Sequence, residues 1–111
     1  MKIINIILYT SNIGKQPFIE WQKKLDTKTK YIVAARLARI KNGNFGDCKP
    51  IKGVKEIYEF RVDYGPGYRI YYGKKGSMIV VLLVGGDKGS QNRDILKAKQ
   101  YWFDFTEQKN A

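Results

Sequence analysis

The unbroken apolar run from Met78 to Val84 constrains this chain more than any other stretch. It is far short of the ~20 apolar residues a membrane span needs. It also lacks the polar alternation of a half-exposed strand, which is the signature of a central strand covered on both faces. The rest of the chain must therefore supply the cover. With 111 residues and 43% hydrophobic side chains, there is material for one modest core of two packed layers. The expectation is a single domain spanning residues 1–111.

Upstream of that run the hydrophobic period is two. Tyr58, Phe60 and Val62 alternate with Ile57, Glu59, Arg61 and Asp63. After Tyr64-Gly65-Pro66-Gly67, Tyr68, Ile70 and Tyr72 alternate with Arg69 and Tyr71. Facing residues on paired antiparallel strands point to the same side of a sheet. If both aromatic sets share a core, even numbers pair with even, and the connecting loop has an odd number of residues. Arg61, Arg69 and Tyr71 then share the opposite, open face.

The remaining segments read as cover for this sheet. Ile3 to Tyr9 forms a first strand. Pro17 suits the first turn of a helix, where its missing N–H is not needed, and Phe18, Trp21, Gln22 and Leu25 follow at helical spacing. Asp26-Thr27 supplies an N-cap for a second helix, with Tyr31, Ala34, Ala35 and Ala38 as its apolar stripe, widened by Leu37 and Ile40. Asn42-Gly43 ends it. Residues 44–55 and Gly85-Gly86-Asp87-Lys88-Gly89 read as loops, the second a flexible one, and Lys74-Lys75-Gly76 as a turn. Ser90 caps a last helix of roughly 91–104 with Ile95, Ala98 and Trp102 facing the core, and Glu107 to Ala111 fray. The fold class is α+β: an N-terminal strand and a helix hairpin packed on an antiparallel sheet, with a C-terminal helix.

Charge narrows the function. Twenty-one Lys and Arg stand against ten Asp and Glu, a formal net charge of +11, and such a chain attracts polyanions. Charge alone does not locate a site, because residues 15–41 and residues 49–99 each carry a net +6. The absence of histidine removes the commonest acid–base group and metal ligand. The carboxylates are scattered rather than paired, so no metal site and no cofactor is expected. The lone Cys48 cannot form an internal disulfide. Met1 to Leu8 is apolar but is interrupted by Asn5 and followed by no cleavage site, which makes it a poor signal peptide. The expectation is a soluble, cytoplasmic protein with no membrane partner.

One constellation has chemistry in it. Arg69 lies mid-strand, where folding does not require a long cation, and its forked donors match phosphate geometry. Arg61 joins it on the same face, while Lys88 and Arg93 flank the start of the last helix, whose free N–H groups favour anions. Lys52 and Lys55 add cations in the preceding loop. Either Arg61 and Arg69 grip phosphate or they pair with Glu59 and Asp63 across the strands; the residues alone leave both open.

The segment from Glu59 through Tyr72, with Arg61, Gly65-Pro66-Gly67-Tyr68-Arg69 and Tyr71-Tyr72, precedes Leu82-Leu83-Val84-Gly85-Gly86-Asp87-Lys88-Gly89-Ser90-Gln91 and Asp94-Ile95. Together these resemble the RelE/ParE toxin superfamily, nearest its HigB-like addiction module killer branch, from about Phe18 to Trp102. The resemblance implies the toxin of a type II toxin–antitoxin pair. Its cognate antitoxin would carry a helix-turn-helix domain, and operator DNA would be reached only through that antitoxin. It also implies a metal-independent endoribonuclease that cuts messenger RNA on the ribosome. The family's strand arginine corresponds to Arg69, and its basic residues after the central strand to Lys88 and Arg93. Arg61 matches one position of the preceding basic pair, and Glu59 stands near the other, where RelE itself is basic.

Without histidine, Arg69 would stabilise the phosphorane and Lys88 would serve as base. Tyr71 would position the RNA or donate a proton, and most of the rate would come from positioning by the ribosome. Arg61, Lys52 and Lys55 would contact RNA. Two other functions fit the same residues: a non-enzymatic inhibitor of DNA gyrase, as in the ParE branch, and a degenerate, non-toxic binding module.

Overall fold

The computed structural model describes residues 3–110, with side chains for 3–108. The chain folds as α+β, with a five-stranded mixed sheet and a long C-terminal helix. The strands are β1 (Asn5–Leu8), β2 (Cys48–Pro50), β3 (Ile57–Val62), β4 (Tyr68–Lys75) and β5 (Ile79–Asp87), in the spatial order β1-β5-β4-β3-β2. The sheet is not wholly antiparallel, as the sequence suggested. β1 lies parallel to β5, and the long connection between them holds two helices and the other three strands.

The parity expected of β3 and β4 holds. Tyr58 faces Tyr72, Phe60 faces Ile70, and Val62 faces Tyr68, across the odd-numbered loop 63–67. These residues form one core with Phe18 of α1 (Pro17–Lys23) and with Val33 and Ile40 of α2 (Thr27–Lys41). The other face carries Ile57, Tyr71, Val81, Leu83 and Val84, packed under Ala98, Trp102 and Phe105 of α3 (Gln91–Asn110). β5 thus contributes Val80 and Leu82 to one core and Val81 and Leu83 to the other, as its unbroken apolar sequence requires. Opposite Tyr71 and Tyr72 the register shifts by one residue, so that Leu83 and Val84 both lie under α3.

Several sequence expectations are corrected. On α2 the buried face is Thr29, Val33 and Ile40, whereas Tyr31 is 73% exposed and Ala34, Ala35 and Ala38 face outward. Alanine is indifferent to burial at this scale, and the larger aliphatics set the rotation of the helix. The loop 44–55 contains β2, a short edge strand that pairs with β3. Lys74 and Lys75 extend β4, and the turn follows them.

Gly85 and Gly86 are not a flexible loop but the buried end of β5. A Cβ on Gly85 would lie 2.3 Å from the Trp21 ring, and one on Gly86 would lie 1.8 Å from an Asp94 carboxylate oxygen. The glycines are needed for close approach rather than for mobility. After them Lys88–Ser90 forms a 3₁₀ turn, capped by the Asp87 carboxylate accepting from the Ser90 N–H at 3.1 Å. Ser90 therefore sits inside this turn rather than capping α3 alone. The last helix runs on through Glu107 to Asn110, and Ala111 lies outside the described residues. No helix among the described residues is long and apolar enough to cross a membrane.

Gly73 repeats the close-approach device on β4, where an added Cβ would meet the Trp102 ring at 2.1 Å. The substitution Gly73→Ala is expected to lower the unfolding free energy by about 1–3 kcal/mol. Urea denaturation would show this as a lower midpoint with an unchanged slope.

Candidate functional site

α3 does not cover its face of the sheet completely. Tyr71 on β4 and its cross-strand partner Glu59 on β3 are 0% and 1% exposed. One pair further along, Arg61 and Arg69 face each other and are only partly buried. The boundary of the helix therefore falls between these two pairs. Beyond it lies a groove of about 380 Å³ whose walls include Arg61, Arg69, Lys88, Asp47 and Asp63. The hairpin loop forms one wall and the 3₁₀ turn another. The Lys88 backbone N–H donates to the Gly67 carbonyl at 3.0 Å, which ties the turn to the loop.

The two open readings of the arginines separate here. Arg61 does pair with Glu59, at 3.4 Å, but along its own strand rather than across strands. The same carboxylate lies 4.0 Å from Lys49 on the edge strand. Among the described residues, Arg69, Lys88 and Asp63 form no ion pair. The Arg69 guanidinium and the Lys88 ammonium thus enter the groove without a carboxylate partner. Three cations and two carboxylates line this hollow, and the guanidiniums of Arg61 and Arg69 offer an anion several forked donors.

The other sequence-derived candidates are dispersed. Tyr71 is fully buried under α3, and its hydroxyl has no hydrogen-bond partner. Burial first, and then the Glu59 and Asp94 carboxylates, raise its phenol well above the usual value. Tyr71 is therefore a neutral core residue, not a group on the open face. Arg93 lines a second hollow, on the other side of the 3₁₀ turn from Arg69. Lys52 and Lys55 are exposed in the turn between β2 and β3, at the opposite end of β3 from Arg61. The sequence brought them near only by proximity along the chain.

Two contributors were not foreseen. Asp47 reaches the groove because β2 carries it there, with its carbonyl accepting from the Arg61 N–H at 3.0 Å. Arg36 on α2 donates to the Arg61 carbonyl at 2.6 Å, and its guanidinium lies over the Phe60 ring. Val33 and Ile40 share its helix face, so a reading of α2 by its large aliphatics would have found it. Among the described residues, no cluster of His, Cys, Asp or Glu suited to a metal ion occurs.

The fold and groove together define a small, basic α+β protein with an open hollow at one end of its sheet, lined by three cations and two carboxylates. No protein-family model matches the sequence. The chain is 42% identical over 83 residues to an uncharacterized protein of Haemophilus influenzae, a stretch covering 74% of this chain and 82% of the other. It belongs to the same family as that protein.

Since the Tyr71 hydroxyl is buried without a partner, Tyr71→Phe is expected to raise the unfolding free energy by about 1 kcal/mol. Urea denaturation measures this, and a loss of that size would mean that the hydroxyl is bonded in the folded chain. The raised phenol adds a pH signature. Its contribution is fully present below pH ~10 and is lost as pH rises past that unfolded value, so Tyr71→Phe should flatten the alkaline fall in stability.

Proposed function

We propose that the chain is a RelE-like toxin of a type II toxin–antitoxin pair and a ribosome-dependent messenger RNA endonuclease. The observation that carries this reading is the groove in which Arg69 and Lys88, both free of carboxylate partners among the described residues, face Arg61. The residues that resemble the HigB-like branch support it: they lie on β3 and β4, at the end of β5 and in the turn after it, and so border this groove. The order of strand, helix pair, sheet and final helix agrees with the RelE-like arrangement.

In this reading the scissile phosphate sits between Arg61 and Arg69. The attacking group is the neighbouring 2′-OH, whose oxygen forms a bond to phosphorus as the 5′-oxygen departs, giving a 2′,3′-cyclic phosphate and a 5′-hydroxyl end. Arg69 stabilises the dianionic phosphorane through preformed donors. The 2′-OH proton goes to Lys88 in its free amine form, and a water molecule donates a proton to the departing 5′-oxygen. With Tyr71 buried and no histidine present, the strongest contribution is positioning, which the ribosome supplies by holding the RNA in line. Glu59 orients Arg61 from below rather than touching the RNA. The partner is a cognate antitoxin that covers this cationic end and brings the complex to operator DNA.

Expression of the chain without its antitoxin is expected to arrest growth and to produce new 5′ ends within the codons of a translated message, read by primer extension. Arg69→Ala should lower the cleavage rate by about a hundred- to a thousandfold with an unchanged circular dichroism spectrum. Free RNA should be cut little, and DNA gyrase should supercoil normally in the presence of the purified protein. Absence of new ends after induction would overturn the reading.

A further inference from the structure

Three hollows follow one another around the start of α3. Lys88 is shared by the Arg61–Arg69 groove and a middle hollow over the 3₁₀ turn, and Arg93 is shared by that hollow and a third. The third measures about 490 Å³ and lies among α1, α3 and the end of β5. Lys88 and Arg93 thus link the Arg61–Arg69 groove to a second cavity, large enough for a small organic group.

That cavity differs in chemistry from the first. Trp21 and Tyr101, both half-buried aromatics, line it together with Lys24, Arg93 and Lys97. The carboxylates of Glu20, Asp87 and Asp94 line it as well. Its floor is backbone. β1 pairs with β5 only as far as Leu82, whereas β5 continues to Asp87, so residues 83–87 have a strand on one side only. The peptide edge of Gly85 and Gly86, both buried, borders the hollow beside the Trp21 ring and the Asp94 carboxylate. An aromatic wall, peptide groups at the floor with carboxylates beside them for hydrogen bonding to a base edge, and flanking cations for phosphates are what an unpaired nucleobase needs. An inorganic anion has no use for the first two, and a duplex does not offer its bases this way.

We infer that this cavity is a nucleobase pocket for single-stranded RNA whose backbone crosses the 3₁₀ turn into the Arg61–Arg69 groove. The inference rests on the proposed ribonuclease reading for the identity of the polymer. It assigns Trp21 as the stacking residue, the Gly85-Gly86 peptides as the groups that meet the base edge, and Arg93 and Lys97 as phosphate contacts outside the scissile position.

Trp21 and Trp102 are the two tryptophans of the chain, so Trp102→Phe leaves Trp21 as the sole indole reporter. Titration of this variant with hexauridylate at low salt is expected to quench its fluorescence to saturation. A hexamer of abasic sugar-phosphate should bind about tenfold or more weakly, since stacking of each base is lost. Arg93→Glu combined with Lys97→Glu, at exposed positions that the fold does not need, should weaken hexauridylate by a similar factor and reduce its salt dependence. Trp21→Leu should remove the preference for the base-bearing oligomer. Equal affinity for both oligomers, or no quenching, would overturn the inference. The ribosomal assay run on the same preparations separates the two readings. Message cleavage without base discrimination leaves the ribonuclease and removes the pocket, whereas discrimination without cleavage does the reverse.

Discussion

At the end of β5, two helices close on opposite faces of one strand at adjacent residues. The Trp21 ring of α1 lies against Gly85, and the Asp94 carboxylate of α3 lies against Gly86. Neither approach tolerates a Cβ, and strand alternation sends the two residues to opposite sides. These contacts set how far along the sheet each helix layer reaches. They also anchor the start of α3, because Asp94 accepts from the Ser90 hydroxyl at 2.5 Å while Asp87 caps the turn before it. The position of Lys88 follows from this anchoring and from its backbone bond to Gly67.

The site depends on where that coverage stops. Had α3 begun one turn earlier, Arg61 and Arg69 would lie beneath it, and two buried guanidiniums would demand carboxylate partners. As it stands, the helix edge divides two consecutive cross-strand pairs. Glu59 and Tyr71 fall inside, and Arg61 and Arg69 fall outside. Glu59 makes sense at this border. A lone buried carboxylate is costly, but one oxygen lies against the Arg61 guanidinium, which is itself partly in water. The other oxygen and the Tyr71 hydroxyl remain without partners. Folding alone would favour apolar groups at both positions, so the polar pair is better understood as support for the arginines above it.

What could be read from the sequence was whatever rested on period and parity. The even-numbered aromatics of β3 and β4 and the two-sided burial of β5 follow from alternation, which a pleated strand cannot evade. Placing Arg61 beside Arg69 needed nothing more. The failures share a physical cause. Ala34, Ala35 and Ala38 look apolar but carry too little surface to orient a helix. Gly85 and Gly86 look mobile because a sequence does not show the Trp21 ring and Asp94 carboxylate that require them. Tyr71 has the same parity as Arg69, yet lies under a helix whose reach is a tertiary fact. β2 is three residues long and includes Pro50, which is tolerable only on an edge.

Charge makes the same point from the other direction. The +6 on each of residues 15–41 and 49–99 gave no location, but the fold sorts many of the cations by what they meet. Lys28 lies over Tyr64, Arg36 over Phe60, and Lys74 over Phe45 and Tyr58, so these serve the aromatic core as amphipathic covers. Lys49 and Arg61 share Glu59. Lys52 and Lys55 stand at the far end of the sheet. Arg69, Lys88, Arg93 and Lys97 border a series of adjoining hollows around the start of α3, in company with several carboxylates. A polyanion drawn by the diffuse field of the whole molecule would find its short-range contacts concentrated there. For such a partner the excess charge would govern the rate of encounter, and the coverage of the sheet the place.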